Sequence, residues 1–188
     1  MKKLSLSFVA LIVVLSSFSL SYAAPVFTIE TATINLGETT TIDVTLGGND
    51  LAISAFDFQI PYSTAAFSAT NPVGGSSLAG LGGTFSGTQP ATGVLSTIYY
   101  NLSDPVPAIP NGVIASFDIT GLTAGVYSLA FSQINAGNVF GEDISSSAFS
   151  TVAGTITVNA AVVPIPAAAW LLGSGLVGLV AIRRRKRK

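Results

Sequence analysis

Apolar and polar residues alternate in Thr39 to Leu46 (TTTIDVTL), with Ile42, Val44 and Leu46 on one side and Thr41, Asp43 and Thr45 on the other. A period of two over that length describes a half-buried antiparallel strand, whose successive side chains point to opposite faces. The pattern returns in AFDFQI, where Phe56, Phe58 and Ile60 oppose Asp57 and Gln59. Pro61-Tyr62 ends that run, because proline has no N–H to donate to a ladder. Val94 to Asn101 (VLSTIYYN) is rich in β-branched and aromatic residues, and Val113 to Ile119 places Val113, Ala115, Phe117 and Ile119 in phase. Gly125 opens VYSLAF, with Tyr127, Leu129 and Phe131 in phase, while Val26 to Ile34 opens the series and Thr151 to Val158 closes it. Turn signals separate these runs: Gly47-Gly48-Asn49-Asp50, Pro105 to Gly112, Thr120-Gly121 and Ala124-Gly125. Eight or nine short strands at such spacing predict an all-β, two-sheet antiparallel sandwich.

Charge is segregated along the chain. All eight basic residues lie at its extremities, Lys2, Lys3 and Arg183 to Lys188, and Leu4 to Ile182 contains no Lys, Arg or His. The same interval holds all nine acids, from Glu30 to Asp143. An acidic body without a base repels phosphate backbones, which argues against a nucleic-acid partner. Cysteine is absent, so a core must supply the stability that disulfides give many exported domains. Without His or Cys there is no Ser-His-Asp or Cys-His arrangement and no zinc site built on those ligands.

Asn71 to Gly93 departs from the strand pattern, with glycines at 74, 75, 80, 82, 83, 87 and 93. It reads as a long mobile surface loop, with an edge strand near Thr84 to Ser86; a ligand-contacting loop is the sharper alternative. It lacks the Lys and the strand-to-helix context of a phosphate-cradling motif.

Both ends read as targeting segments. Residues 1–23 have a basic start, an apolar stretch from Leu4 to Leu20 and the small-residue motif Ser21-Tyr22-Ala23, the three parts of a secretory signal peptide. Cleavage is expected between Ala23 and Ala24; Pro25 follows at once, which disfavours a retained membrane helix. Residues 161–188 contain Val163-Pro164-Ile165-Pro166-Ala167, an uncharged run from Ala168 to Ile182, and the basic block Arg183, Arg184, Arg185, Lys186, Arg187, Lys188. An apolar run closed by positive charge predicts a transmembrane helix with a cytoplasmic C-terminus. Ala167 to Ile182 would span about 24 Å at roughly 1.5 Å per residue, short of a bilayer core of roughly 30 Å. Trp170 suits the interface, and Ser174 with Gly178 is a small-xxx-small pair. The two prolines forbid a continuous helix through Val163 to Pro166 and leave an extended segment outside the bilayer for a protease to grip.

The body from Val26 to Val158 resembles cohesin domains. The residues that carry the resemblance are ISAFDFQIPY at 53 to 62, Leu36-Gly37-Glu38 before the second strand, Val113 to Phe131 as paired strands joined by a Gly turn, and NAGNVFGEDI (Asn135 to Ile144) followed by Gly154 to Val158. The resemblance implies a jelly-roll sandwich related to carbohydrate-binding modules; in the cellulosome setting cohesins bind dockerins, but no interface residue carries over. The tail resembles the PEP-CTERM sorting signal in its VPLPA-like variant, on Val163 to Ala167, then Ala168 to Leu176, then Arg183 to Lys188. That resemblance implies recognition by an exosortase, cleavage near the prolines, and delivery to the surface of a Gram-negative cell that makes exopolysaccharide. Ile165 stands where the motif has Glu, which leaves the sorting enzyme open.

Candidate chemistry in the body is sparse. A glycosidase needs a carboxylate pair, but Asp43, Asp57 and Asp118 alternate with core residues and Asp50 and Asp104 fall in turns, as acids on a solvated sheet do. Glu142 and Asp143, near Asn135 and Asn138, are oxygen donors for a loop calcium, although the spacing is not that of an EF-hand. Tyr62, Tyr99, Tyr100 and Tyr127 are candidates for a sugar-stacking platform, and adjacent Tyr99 and Tyr100 must face opposite sides of their strand. The sequence therefore predicts a non-enzymatic, exported protein with no required cofactor. Its expected organisation is a signal peptide (1–23), a cohesin-like sandwich (24–160) and a sorting segment (161–188). Expected partners are signal peptidase, an exosortase-like enzyme, the membrane transiently, and extracellular polysaccharide or a surface protein. Self-assembly through strand edges and a permanent single-pass anchor are the alternatives.

Overall fold

The computed structural model describes residues 23–161, together with 171–172, 174–176 and 183. Fourteen short strands pack as a β-sandwich. In chain order they are β1 (Val26–Ile29), β2 (Ala32–Asn35), β3 (Thr39–Gly47), β4 (Ile53–Pro61), β5 (Phe67–Ala69), β6 (Val73–Gly74), β7 (Thr84–Ala91), β8 (Val94–Tyr100), β9 (Gly112–Gly121), β10 (Gly125–Leu129), β11 (Gln133–Asn138), β12 (Asp143–Ile144), β13 (Ser150–Val152) and β14 (Gly154–Asn159). One layer is the sheet β12-β11-β4-β8-β7. The other is the sheet β13-β1-β3-β9-β5, with β6 also on β9, extended by the sheet β10-β14-β2.

The alternation read from the sequence sets the layers. Ile42, Val44 and Leu46 of β3 and Phe56, Phe58 and Ile60 of β4 are all buried, while Asp43 and Asp57 between them are partly exposed. Aromatic rings stitch the layers together. Phe131 meets Phe58 edge-on at 5.4 Å and Phe27 at 6.5 Å, and Phe27 in turn meets Phe149 at 5.5 Å. Such geometry adds about 0.5–1.5 kcal/mol per pair beyond area burial. Two bulges interrupt the alternation, so that Ile53 with Ser54, and Ile114 with Ala115, are neighbours buried together.

Several expectations are corrected. The expected single opening and closing strands are each broken in two, and they pair in parallel: β1 with β13, and β2 with β14. The breaks face each other across the chain: Gly154 passes so close to Glu30 that a Cβ there would collide with its carbonyl oxygen. Glu30 leaves the ladder, its N–H donating to the Asp43 carbonyl at 2.9 Å and its carboxylate accepting from the Asp43 N–H at 3.2 Å. The strands within Val113 to Phe131 do not pair with each other. β9 is already flanked by β3 on one side and by β5 and β6 on the other, so β10 crosses to β14. The glycine-rich stretch is not a long loop: it holds β6, a 3-10 turn at Ser76–Leu78 and β7, eight residues long rather than three. Gly75, Gly83 and Gly87 serve close packing, whereas Gly80 and Gly82 have positive φ with open space around them. A Cβ at Gly87 would collide with the Pro72 carbonyl.

Among the described residues no helix is long and apolar enough to cross a membrane. Leu171, Leu172, residues 174–176 and Arg183 are helical and exposed, and the Ser174 hydroxyl donates to the Leu171 carbonyl at 3.1 Å. The sorting motif Val163 to Ala167, the block Arg184 to Lys188, most of the expected transmembrane helix and residues 1–22 lie outside the described residues.

Candidate binding face

The outward face of the sheet β12-β11-β4-β8-β7 is assembled by register. Asn135 of β11, Asp57 of β4, Ile98 of β8 and Ser86 of β7 stand side by side in one row. Gln133, Gln59, Ser96 and Thr88 form the next row. Because β8 alternates, Tyr99 is 2% exposed in the core while Tyr100 is 41% and Ile98 46% exposed on this face. Opposite orientation of the two tyrosines follows from the two-residue period.

A depression of about 280 Å³ opens on this face, lined by residues that include Asp57, Ile98, Tyr100, Val106, Asn135 and Asp143. Its polar groups are fixed by one another. The Asn135 amide donates to both oxygens of Asp57 at 3.0 Å, and the Gln133 amide reaches Asp57 at 3.4 Å. Asn138 closes the β11–β12 hairpin: its Oδ1 accepts from the N–H groups of Phe140 at 2.9 Å and Glu142 at 3.0 Å, and its amide donates to the Glu142 carboxylate at 3.0 Å. The four calcium candidates therefore divide. Asn135 serves Asp57, Asn138 serves the turn with Glu142, and Asp143 is exposed beside the depression. Among the described residues no three carboxylate, His or Cys groups are gathered to hold a metal.

The other aromatic candidates are dispersed. Tyr62 is half-buried with its hydroxyl 3.5 Å from the Gln89 amide oxygen, and Tyr127 stacks edge-on against Phe67 at 5.0 Å while its hydroxyl donates to the Thr123 carbonyl at 3.2 Å. The four tyrosines form no multi-ring platform, and of them Tyr100 presents an exposed ring beside the depression. The acids of the opposite layer, Asp43 and Asp118, accept from Ser116 and Thr41 at 2.6 Å each. Sequence reasoning missed Ile98 and Val106 on this face. Ile98 was legible as the outward partner of Tyr100 two positions on, whereas Val106 arrives from the loop after β8.

At the start of the sandwich, Ala23 and Ala24 are exposed and Pro25 is buried, its carbonyl accepting from the Ser150 N–H at 2.8 Å. The Ala23 N–H donates to the Asp50 carboxylate at 2.8 Å.

A scan with family models finds no match to the sequence, and a search of the curated proteins finds none. Solved structures are similar. The sixth cohesin of scaffoldin B from Acetivibrio cellulolyticus, solved in complex with a Cel5 dockerin, is 17% identical with a TM-score of 0.64, over 72% of this chain and 99% of that one. The seventh ScaB type I cohesin of Pseudobacteroides cellulosolvens is 19% identical with a TM-score of 0.62, over 76% and 96%. The non-cellulosomal cohesin of the hyperthermophilic archaeon Archaeoglobus fulgidus is 13% identical with a TM-score of 0.61, over 78% and 96%. The described body thus has the cohesin fold.

Proposed function

We propose that this chain is an exported, non-catalytic binding module that docks a surface protein on the outer face of β12-β11-β4-β8-β7. The observation that carries the reading is the mostly uncharged sheet face with exposed Ile98 and Tyr100 beside the hydrogen-bonded carboxylate of Asp57. An apolar centre with a polar surround is the usual anatomy of a protein interface. Because the body has no base, its complement is a segment bearing Lys or Arg that meets Asp57 and Asp143. Likeness to cohesins, one of them solved with its dockerin, supports a protein partner over a small ligand.

The route to the surface is part of the same reading. Signal peptidase cuts between Ala23 and Ala24, at exposed residues just before the buried Pro25. Arg183 to Lys188 halt the tail in the inner membrane, and an exosortase-like enzyme cuts near Val163 to Ala167 to release the body to the surface. Intact-mass measurement on cells and medium tests this route. A species beginning at Ala24 and ending near Pro164 is expected, whereas a membrane species that keeps Arg183 to Lys188 would leave only a permanent anchor.

Capture of surface proteins from the producing cells on the full-length chain tests the face. Ile98→Asp and Asp57→Asn are expected to lose the captured protein, and raised salt to weaken it. Equal capture by both variants would refute the assignment. Polysaccharide is a second reading, favoured by the half-exposed ring of Tyr100. Glycan-array binding lost with Tyr100→Ala would establish it instead.

A further inference from the structure

The sheet β10-β14-β2 stands apart in its charge. Its strands read GVYSL, GTITVN and ATIN, without one acid, although the body carries nine. Its outermost strand, β10, pairs with β14 on one side and has no backbone partner on the other among the described residues. Val126, in the middle of this strand's outward side, is 70% exposed. Natural sheets guard such edges with lysine, proline, inward charges or extreme shortness. The body has no lysine, and most other edges are guarded in other ways: β7 carries Pro90, β12 is two residues long with Asp143, and β5 and β13 have three residues each, while β2, at the far side of the same sheet, is unguarded but has only four residues. At five residues, β10 is the longest edge without a guard.

The apolar surface continues around the sheet. Leu36, 42% exposed, follows β2, and Leu122, 49% exposed, follows β9. Their backbone segments adjoin at one end of the sheet, where the Leu36 N–H donates to the Asn159 carbonyl at 3.0 Å and the Gly37 N–H to the Gly121 carbonyl at 2.8 Å, with Leu36 on the β2 side and Leu122 leading into β10.

We propose that β10 is a homotypic docking edge: β10 of one copy adds antiparallel to β10 of a second, with Leu122 and Val126 as its apolar margin. Charge selects the occupant. A cationic partner is drawn to the nine carboxylates elsewhere, whereas a second acidic copy meets least repulsion at the charge-free sheet. An antiparallel strand pair is also compatible with two-fold symmetry, the usual symmetry of soluble dimers. The surface is separate from the outer face of β12-β11-β4-β8-β7, so the two assignments fail independently.

Sedimentation velocity of the full-length chain in mild detergent, over a concentration series, reads the association. The wild-type chain is expected to dimerise reversibly. Val126→Asp with Ser128→Asp sets carboxylates opposite each other and is expected to raise the dimer Kd about tenfold or more. Leu102→Asp, in an exposed loop after β8, is expected to leave Kd unchanged. Unchanged circular dichroism separates a lost contact from a lost fold. In parallel, benzoylphenylalanine in place of Val126 is expected to yield photoproducts between β10 peptides of two chains. A monomer at every concentration, a dimer indifferent to the double variant, or photoproducts only with residues 162–188 or with a different protein would each overturn the proposal.

Discussion

Tyr99 and Thr97 lie on the inner side of β8, 2% and 1% exposed, and neither hydroxyl has a hydrogen-bonding partner within the protein among the described residues. The Tyr99 ring itself is well placed, stacked on Phe56 with centroids 5.7 Å apart. Gly83 passes directly over the hydroxyl, close enough that a Cβ there would collide with it. Tyr99→Phe keeps the ring and its contacts and deletes only the unpaired oxygen. A buried polar group without a partner costs about 1–3 kcal/mol, so the variant is expected to gain on the order of 1 kcal/mol after the small void is allowed for. Thr97→Val is nearly isosteric and should gain a similar amount by the same reasoning. For a sandwich of this size 1 kcal/mol corresponds to a rise of roughly 3–5 °C in Tm, readable by calorimetry on residues 24–160. Tyr127→Phe is the control, because its hydroxyl donates to the Thr123 carbonyl at 3.2 Å; that variant should be neutral or lose about 0.5–1 kcal/mol. A loss of more than about 1 kcal/mol on Tyr99→Phe would show that the hydroxyl is satisfied and refute the argument. Ile98 and Tyr100 point to the opposite face, so partner capture should be unaffected by either β8 core variant.

Two further predictions concern stability. Asn49 ties the loop after β3 to β4: its amide donates to the carbonyls of Ile53 at 3.1 Å and Ile109 at 2.8 Å, and its Oδ1 accepts the Ile53 N–H at 2.8 Å. Asn49→Ala removes the partners of the Ile53 N–H and the Ile109 carbonyl, while the Ile53 carbonyl keeps the Ile109 N–H at 2.8 Å, and should cost about 2–4 kcal/mol in urea unfolding; a cost below about 0.5 kcal/mol would mean that solvent replaces the lost bonds. Gly87→Val collides with the Pro72 carbonyl and should detach β7 locally. Hydrogen exchange should then quicken along Thr84–Ala91 while β3 and β9 stay protected, and uniform exchange across the sandwich would count against a local effect.

Much of this architecture was legible in the residues. The alternations at Thr39 to Leu46, Ala55 to Ile60, Val94 to Tyr100 and Val113 to Ile119 identify strands, sidedness and core, because a residue's face in a strand depends only on its parity. The same parity puts Tyr99 inside and Tyr100 outside, and segregated charge rules out a base anywhere in the body. Partners are another matter. Nothing local in Val26 to Asn35 or Ser150 to Asn159 says that each run breaks in two, since the breaks face each other where Gly154 packs on Glu30 across more than a hundred residues. Glycines at 83 and 87 looked like signs of a loop, yet they answer close approaches by Tyr99 and Pro72 that exist only once the chain has folded. The candidate face has the same origin. Asn135, Asp57 and Ile98 are scattered along the chain, and only strand register places them in one row. A sequence thus determines by itself what each residue prefers, because that preference is set by nearest neighbours and by contact with water. Which strands pair, and hence which faces and edges are left for partners, is decided by contacts between distant residues and belongs to the tertiary structure.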